Sequence, residues 1–202
     1  MKTLHLLSLL VLAVTFASCS SDDDSNQPQL EIEAETVTNL YAPQEGGQGQ
    51  PISGDYTKFS FSTGTTTDSE TEWDIAFRGT TILVNGGEAT ATDQPERTGI
   101  AGAYTATSTF ADVTTVNTAL LNQDSSSGGL AISTWYDYNP TTHIITPKAG
   151  NILVIKTHDG KYAKMEILSY YEDGTPNDSA TNYQYYTFDY VYQPNEGETS
   201  FQ

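Results

Sequence analysis

Residues 73–87, W-D-I-A-F-R-G-T-T-I-L-V-N-G-G, constrain this chain more than any other stretch. Trp73, Ile75 and Phe77 alternate with Asp74, Ala76 and Arg78, the period-2 pattern of a strand with one buried face. Gly79 interrupts the run, a second β-branched run follows at 80–84, and Asn85-Gly86-Gly87 supplies residues that tolerate positive φ. A Trp or Phe ring buries roughly 150–250 Å². The pattern therefore predicts a central core strand with Trp73, Ile75 and Phe77 facing inward, then a partner strand and a turn.

The rest of the chain agrees with a β fold. Thirteen tyrosines and sixteen glycines accompany only two methionines, and neither an internal repeat nor a sustained 3.6-residue period is present. The expectation is all-β, a single antiparallel β domain. Residues 30–40 form a first strand, 44–54 a Gly/Gln/Pro-rich loop, 56–62 a strand beside the Trp73 strand, and 64–70 a polar turn. Residues 88–106 are the least regular part, and a connection of that length inside a compact domain is usually functional or mobile. Residues 110–121 read equally as a short helix or an extended segment. Residues 122–129 are a polar loop, and 130–138 a strand carrying Trp135. Asn139-Pro140-Thr141-Thr142-His143 is a turn. Residues 151–157 and 161–169, joined by His158-Asp159-Gly160, carry the Asp-Gly hairpin signal. An aromatic strand at 183–192 closes the fold.

The N-terminus sets location. Lys2, an apolar run over 4–17 and Phe16-Ala17-Ser18-Cys19 read as a lipoprotein leader, 1–18, cleaved before Cys19. Cys19 is the single cysteine and is expected to be acylated, which anchors the protein to a membrane by lipid without a span. Residues 19–29 form the lipidated cysteine and an acidic tether, 30–195 the domain, and 196–202 a polar tail. Asp22-Asp23-Asp24 resembles the surface-export signal of Bacteroidota-type lipoproteins. A formal charge of −18 repels phosphates, so no nucleic acid partner is expected.

W-D-I-A-F-R followed by N-G-G, the segment D-G-K-Y-A-K-M-E-I-L-S-Y-Y (159–171) and the closing T-F-D-Y-V-Y (187–192) together resemble the HmuY-like family of haem-binding surface lipoproteins. The resemblance covers most of the chain after about residue 55. It implies an outer-membrane, surface-exposed protein that takes up haem or another tetrapyrrole and hands it to an outer-membrane haem uptake receptor. It also places the region after N-G-G near the ligand as a lid or wall, which brings in Tyr104. The two histidines that ligate iron in the best-known members have no counterparts here: none lies between Trp73 and Trp135, and none stands at 139–140. His143 is the displaced candidate ligand, with Tyr138 beside it. His158, in the hairpin turn, is expected to be an exposed polar residue, and Met165 a core side chain. Lys156, Lys161 and Lys164 gather on the hairpin, as the solvated face of an edge element or as partners for propionates.

No catalytic motif is present: G-x-S-x-G, H-E-x-x-H and the Walker loop are missing. The expected activity is binding, not catalysis. The alternative is a surface glycan-binding or adhesion module, which would expose at least one of Trp73 and Trp135 in a cleft, whereas a haem-family fold buries both.

Overall fold

The computed structural model describes residues 28–202 apart from Gln48 and Asp178; the leader, Cys19 and most of the tether lie outside them. The strands are β1 (Glu33–Tyr41), β2 (Glu45–Gly47), β3 (Gln50–Ser53), β4 (Thr57–Ser60), β5 (Thr65–Thr66), β6 (Ile75–Arg78), β7 (Thr81–Val84), β8 (Gly102–Thr107), β9 (Tyr136–Tyr138), β10 (Ile145–Pro147), β11 (Asn151–Lys156), β12 (Tyr162–Tyr171) and β13 (Tyr183–Gln193). Two 3-10 turns, Thr118–Leu120 and Glu172–Gly174, are the only helical pieces among the described residues. The fold is all-β and its ladders are antiparallel, as the composition and periodicity predict.

One sheet has the order β1-β13-β12-β11-β8, a second the order β5-β4-β6-β7, and β2–β3 and β9–β10 are separate hairpins. The two larger sheets share an aromatic core. Phe59 lies 5.4 Å from Phe188 and 5.9 Å from Tyr190, Phe61 lies 5.4 Å from Tyr190, and Phe77 lies 4.7 Å from Tyr186. Edge and tilted contacts of this kind suit ring quadrupoles. Leu153, Ile155, Ala163, Met165 and Ile167 complete this layer from β11 and β12. Met165 is thus the core residue its alternation predicts.

The five-stranded sheet is covered on its other face too. Ile152, Val154, Tyr162 and Val191 pack there against Val113, Val116 and Phe201. Burial on both faces explains why β11 reads N-I-L-V-I-K, a near-continuous apolar run. It also corrects two expectations. The 151–169 hairpin is interior, because β8 pairs with β11 and β13 with β12. And the 196–202 segment is not simply a polar tail: Phe201 is buried, and the Phe201 N–H donates to Thr114 O. Lys164 falls on this covered face and is buried. Its ammonium donates to Phe110 O and Val113 O at 2.6 and 2.9 Å and sits 4.5 Å from the Phe110 ring centroid.

The W-D-I-A-F-R stretch departs from simple alternation. Ile75 and Phe77 face the aromatic core, but Trp73 packs with Ala76 and Leu83 on the opposite face of the second sheet. The chain bends at Asp74 before β6 begins. The Asp74 carboxylate accepts from Phe61 N–H at 2.7 Å and from His158 N–H at 2.9 Å, so the bend is fixed by hydrogen bonds to a buried carboxylate. Other expected boundaries shift as well. Residues 44–54 contain the β2–β3 hairpin, residues 102–107 form β8, and only 136–138 of the 130–138 stretch is a strand, with Ile132 making one isolated bridge to Ile82.

N-G-G is a knot more than a turn. Asn85 is fully buried: its amide nitrogen donates to Thr71 O (3.0 Å) and Trp73 O (2.8 Å), and its amide oxygen accepts from Thr98 N–H (2.8 Å) and Gly99 N–H (3.1 Å). A Cβ on Gly86 would stand 1.9 Å from Ala101 O, and Gly87 has φ +85° with Asp124 O 2.0 Å from the Cβ position. Both glycines are required by close backbone approach.

Asn85→Ala leaves two donors and two acceptors without partners, so a loss of roughly 3 kcal/mol or more is expected. The check is a lowered urea midpoint at unchanged slope.

Candidate functional site

The β9–β10 hairpin carries the candidate site. Asn139 organises its loop: its side-chain oxygen accepts from Thr141 N–H and Thr142 N–H at 2.9 and 3.2 Å, and its carbonyl accepts from His143 N–H at 2.8 Å. His143 ends this loop with φ +58°. Asn139 N–H then donates to Ile144 O, and Ile145 pairs with Tyr138 across the hairpin. The result brings Tyr138 and His143 together, with the Tyr138 hydroxyl and His143 Nδ1 hydrogen-bonded at 2.5 Å.

These two line a cleft of about 350 Å³ with Ile145, Tyr170, Tyr171 and Tyr183. Gln44, Gly46, Gly47, Thr80 and Gln184 close its rim. Tyr171 holds the hairpin in place, because its hydroxyl accepts from Ile145 N–H at 2.8 Å. Trp135 stands behind, 5.8 Å from Tyr170 and 5.2 Å from Tyr186, with its indole N–H donating to Thr80 O. Burial pushes the phenols of Tyr170 and Tyr186 up. No lysine or arginine lines the cleft among the described residues. The cleft brings together Tyr138 and His143, which the sequence singles out, and adds Tyr170, Tyr171, Tyr183 and Gln184, which it does not. The signal available was the tyrosine clustering at 170–171 and 183–186.

Tyr104 is placed elsewhere. It lies in β8, partly buried in the cluster behind the five-stranded sheet, and its hydroxyl accepts from Asn117 N–H at 3.0 Å. Residues 88–101 line no part of the His143 cleft. Arg97 is buried there against Asp124 (2.9 Å), and Asp93 takes a hydrogen bond from Arg78 at 2.7 Å. The Arg78 guanidinium holds the Asp93 carboxyl below its ordinary range. The three hairpin lysines separate: Lys164 is interior, Lys161 pairs with Asp159, and Lys156 lines another hollow beside Tyr162 and Ile100.

His158 is not the exposed turn residue expected. Its ring Nδ1 lies 2.7 Å from Asp74 Oδ1, and Asp74 is only 1% exposed. This contact fixes the β11–β12 turn to the bend before β6. The hydrogen bond to Asp74, aided by the charges of Asp74, Asp159 and Glu72, raises the imidazole pKa above 6.5, against the opposing effect of burial.

A family model described as HmuY protein matches residues 53–190. Similar solved structures include the apo HmuY analog of Tannerella forsythia, at 17% identity over 84% of this chain and 100% of that one, TM-score 0.49. A Bacteroides fragilis protein provisionally described as a lipoprotein is similar at 14% identity over 83% and 94%, TM-score 0.47. A Bacteroides vulgatus protein provisionally described as HmuY-like and heme-binding is similar at 12% identity over 83% and 97%, TM-score 0.44. No curated protein is matched by this sequence.

A raised histidine pKa means that the His158–Asp74 contribution is complete below the unfolded value and fades as pH rises through the higher folded value. Stability in metal-free buffer should therefore fall across that window, and His158→Gln should flatten this part of the profile. Urea midpoints at a series of pH values test this.

Proposed function

The chain belongs to the HmuY family, and on that premise we propose that it is a lipid-anchored surface protein that captures haem or a related tetrapyrrole for an outer-membrane uptake receptor, without catalysis. The observation that carries this reading is the tyrosine-lined cleft in which His143 is held by Tyr138. In the tautomer with Nδ1–H donating to the Tyr138 oxygen, Nε2 keeps its lone pair for iron, and the tyrosine orients the ring. Tyr138 and Tyr183, the exposed rings of the lining, supply flat faces for a macrocycle, with Tyr170 and Tyr171 buried behind them. At about 350 Å³ the cleft is at the small end of ligand sites, so a macrocycle enters by one edge and stays partly in water. With no cation in the lining, the propionates belong at the solvent edge.

The glycan-binding alternative loses its main support, because Trp73 and Trp135 are 0% and 2% exposed and no indole is free to stack on a sugar. Cys19, the proposed site of the lipid, holds the domain at the outer membrane. Among the described residues no helix is long and apolar enough to cross a membrane.

Hemin titration followed by absorbance should give a saturable Soret shift. His143→Ala should weaken binding at least about tenfold, the scale of losing a metal-site group, and Tyr138→Phe by less. An absent Soret shift, or one indifferent to His143→Ala, removes His143 from the site.

A further inference from the structure

A second cluster of donor atoms lies outside this cleft. One nitrogen or carboxylate oxygen from each of Asp74, His158 and Asp159 falls within 4.8 Å of the others. Asp74 comes from the bend before β6, the other two from the turn between β11 and β12. The tertiary fold therefore assembles the group, which no local spacing announces.

The group is built like a metal site in three respects. Asp74 is a preset ligand: its oxygens are oriented by Phe61 N–H and His158 N–H, and it is too buried to relax into water. Asp159 is likewise oriented, its Oδ1 accepting from Thr157 Oγ1 at 2.7 Å. The open side is a hollow of about 310 Å³ lined by Ser60, Ser62, Thr63, Thr67 and Glu72 together with His158 and Asp159. It has room for water and brings a further carboxylate near.

We propose that Asp74, His158 and Asp159 bind a zinc-type divalent transition-metal ion, with the remaining position filled by water or Glu72. One imidazole and two carboxylates are a borderline donor set suited to zinc, whereas calcium wants six to eight oxygens. Ligand atoms at about 2.0–2.2 Å from a tetrahedral zinc stand roughly 3.3–3.6 Å apart, so the 2.7 Å His158–Asp74 pair opens by less than about 1 Å. Lys161, paired with Asp159 and partly exposed, is the cation the metal displaces. The bound ion ties the β11–β12 turn to the second sheet more firmly than the hydrogen bond it replaces, which links metal to stability.

The test is a zinc titration of the purified protein by calorimetry, with cobalt as the spectroscopic probe. One zinc per chain is expected, with a raised melting temperature and visible cobalt ligand-field bands. Asp159→Asn and His158→Gln should each weaken zinc at least about tenfold, while His143→Ala leaves it unchanged. Asp159 and His158 are partly exposed, so these variants test the site even where Asp74→Asn fails to fold. No saturable zinc binding, binding indifferent to both substitutions, or binding lost with His143→Ala each overturns the proposal.

Discussion

A buried neutral amide holds this fold together. Asn85 ties the segment at 71–73 to the segment at 98–99 through its side chain, while its backbone N–H donates to Asp74 O and its carbonyl accepts from Ala101 N–H. Asp74 then carries the linkage onward, to Phe61 on one side and to the β11–β12 turn on the other. These two polar side chains connect both large sheets and the irregular segment between β7 and β8. Both side chains are themselves buried, so any partner left unmatched is costly. That is why the short N-G-G sequence fixes so much of the chain around it.

The parts of the fold legible in the sequence are those set by local rules. The Asp-Gly hairpin, the aromatic strand near the C-terminus and the paired strands after Trp73 all appear where period and turn chemistry put them. The departures share one cause, burial that alternation cannot report. Period 2 says which residues share a face, but not whether the second face is covered as well. Lys164 sits on a covered face because residues 110–116 and Phe201 lie over the sheet, and nothing in A-K-M-E announces that cover. Trp73 leaves the face of Ile75 because Asp74 takes up a bend whose partners are contributed from Phe61 and His158, distant in sequence.

The candidate site divides the same way. Tyr138 and His143 are five residues apart across one turn, so local geometry brings them together and the sequence exposes the pair. The other walls come from the end of β12, the start of β13 and the β2–β3 hairpin, which only the folded chain assembles. Tyr104 follows N-G-G in the sequence, yet its strand orders it into the second core. The hairpin-turn histidine, expected to be exposed, is held by a buried carboxylate, and the one after Trp135 is exposed with a tyrosine for its partner.

That contrast bears on what the proposed capture can discriminate. Lys58, Arg78, Arg97, Lys148 and Lys161 each pair with a carboxylate, Lys164 is satisfied by backbone carbonyls, and none of them lines the His143 cleft. A macrocycle in that cleft gains from stacked area and from at most one metal–nitrogen bond, not from ion pairs. Stacked area depends on the ring and is the same with or without iron. A cleft of this kind therefore selects the flat tetrapyrrole shape first and the metal second. Two axial histidines would reverse that order, because the iron would then contribute both strong bonds. On the proposed reading, one histidine in place of two moves selectivity from the metal toward the ring.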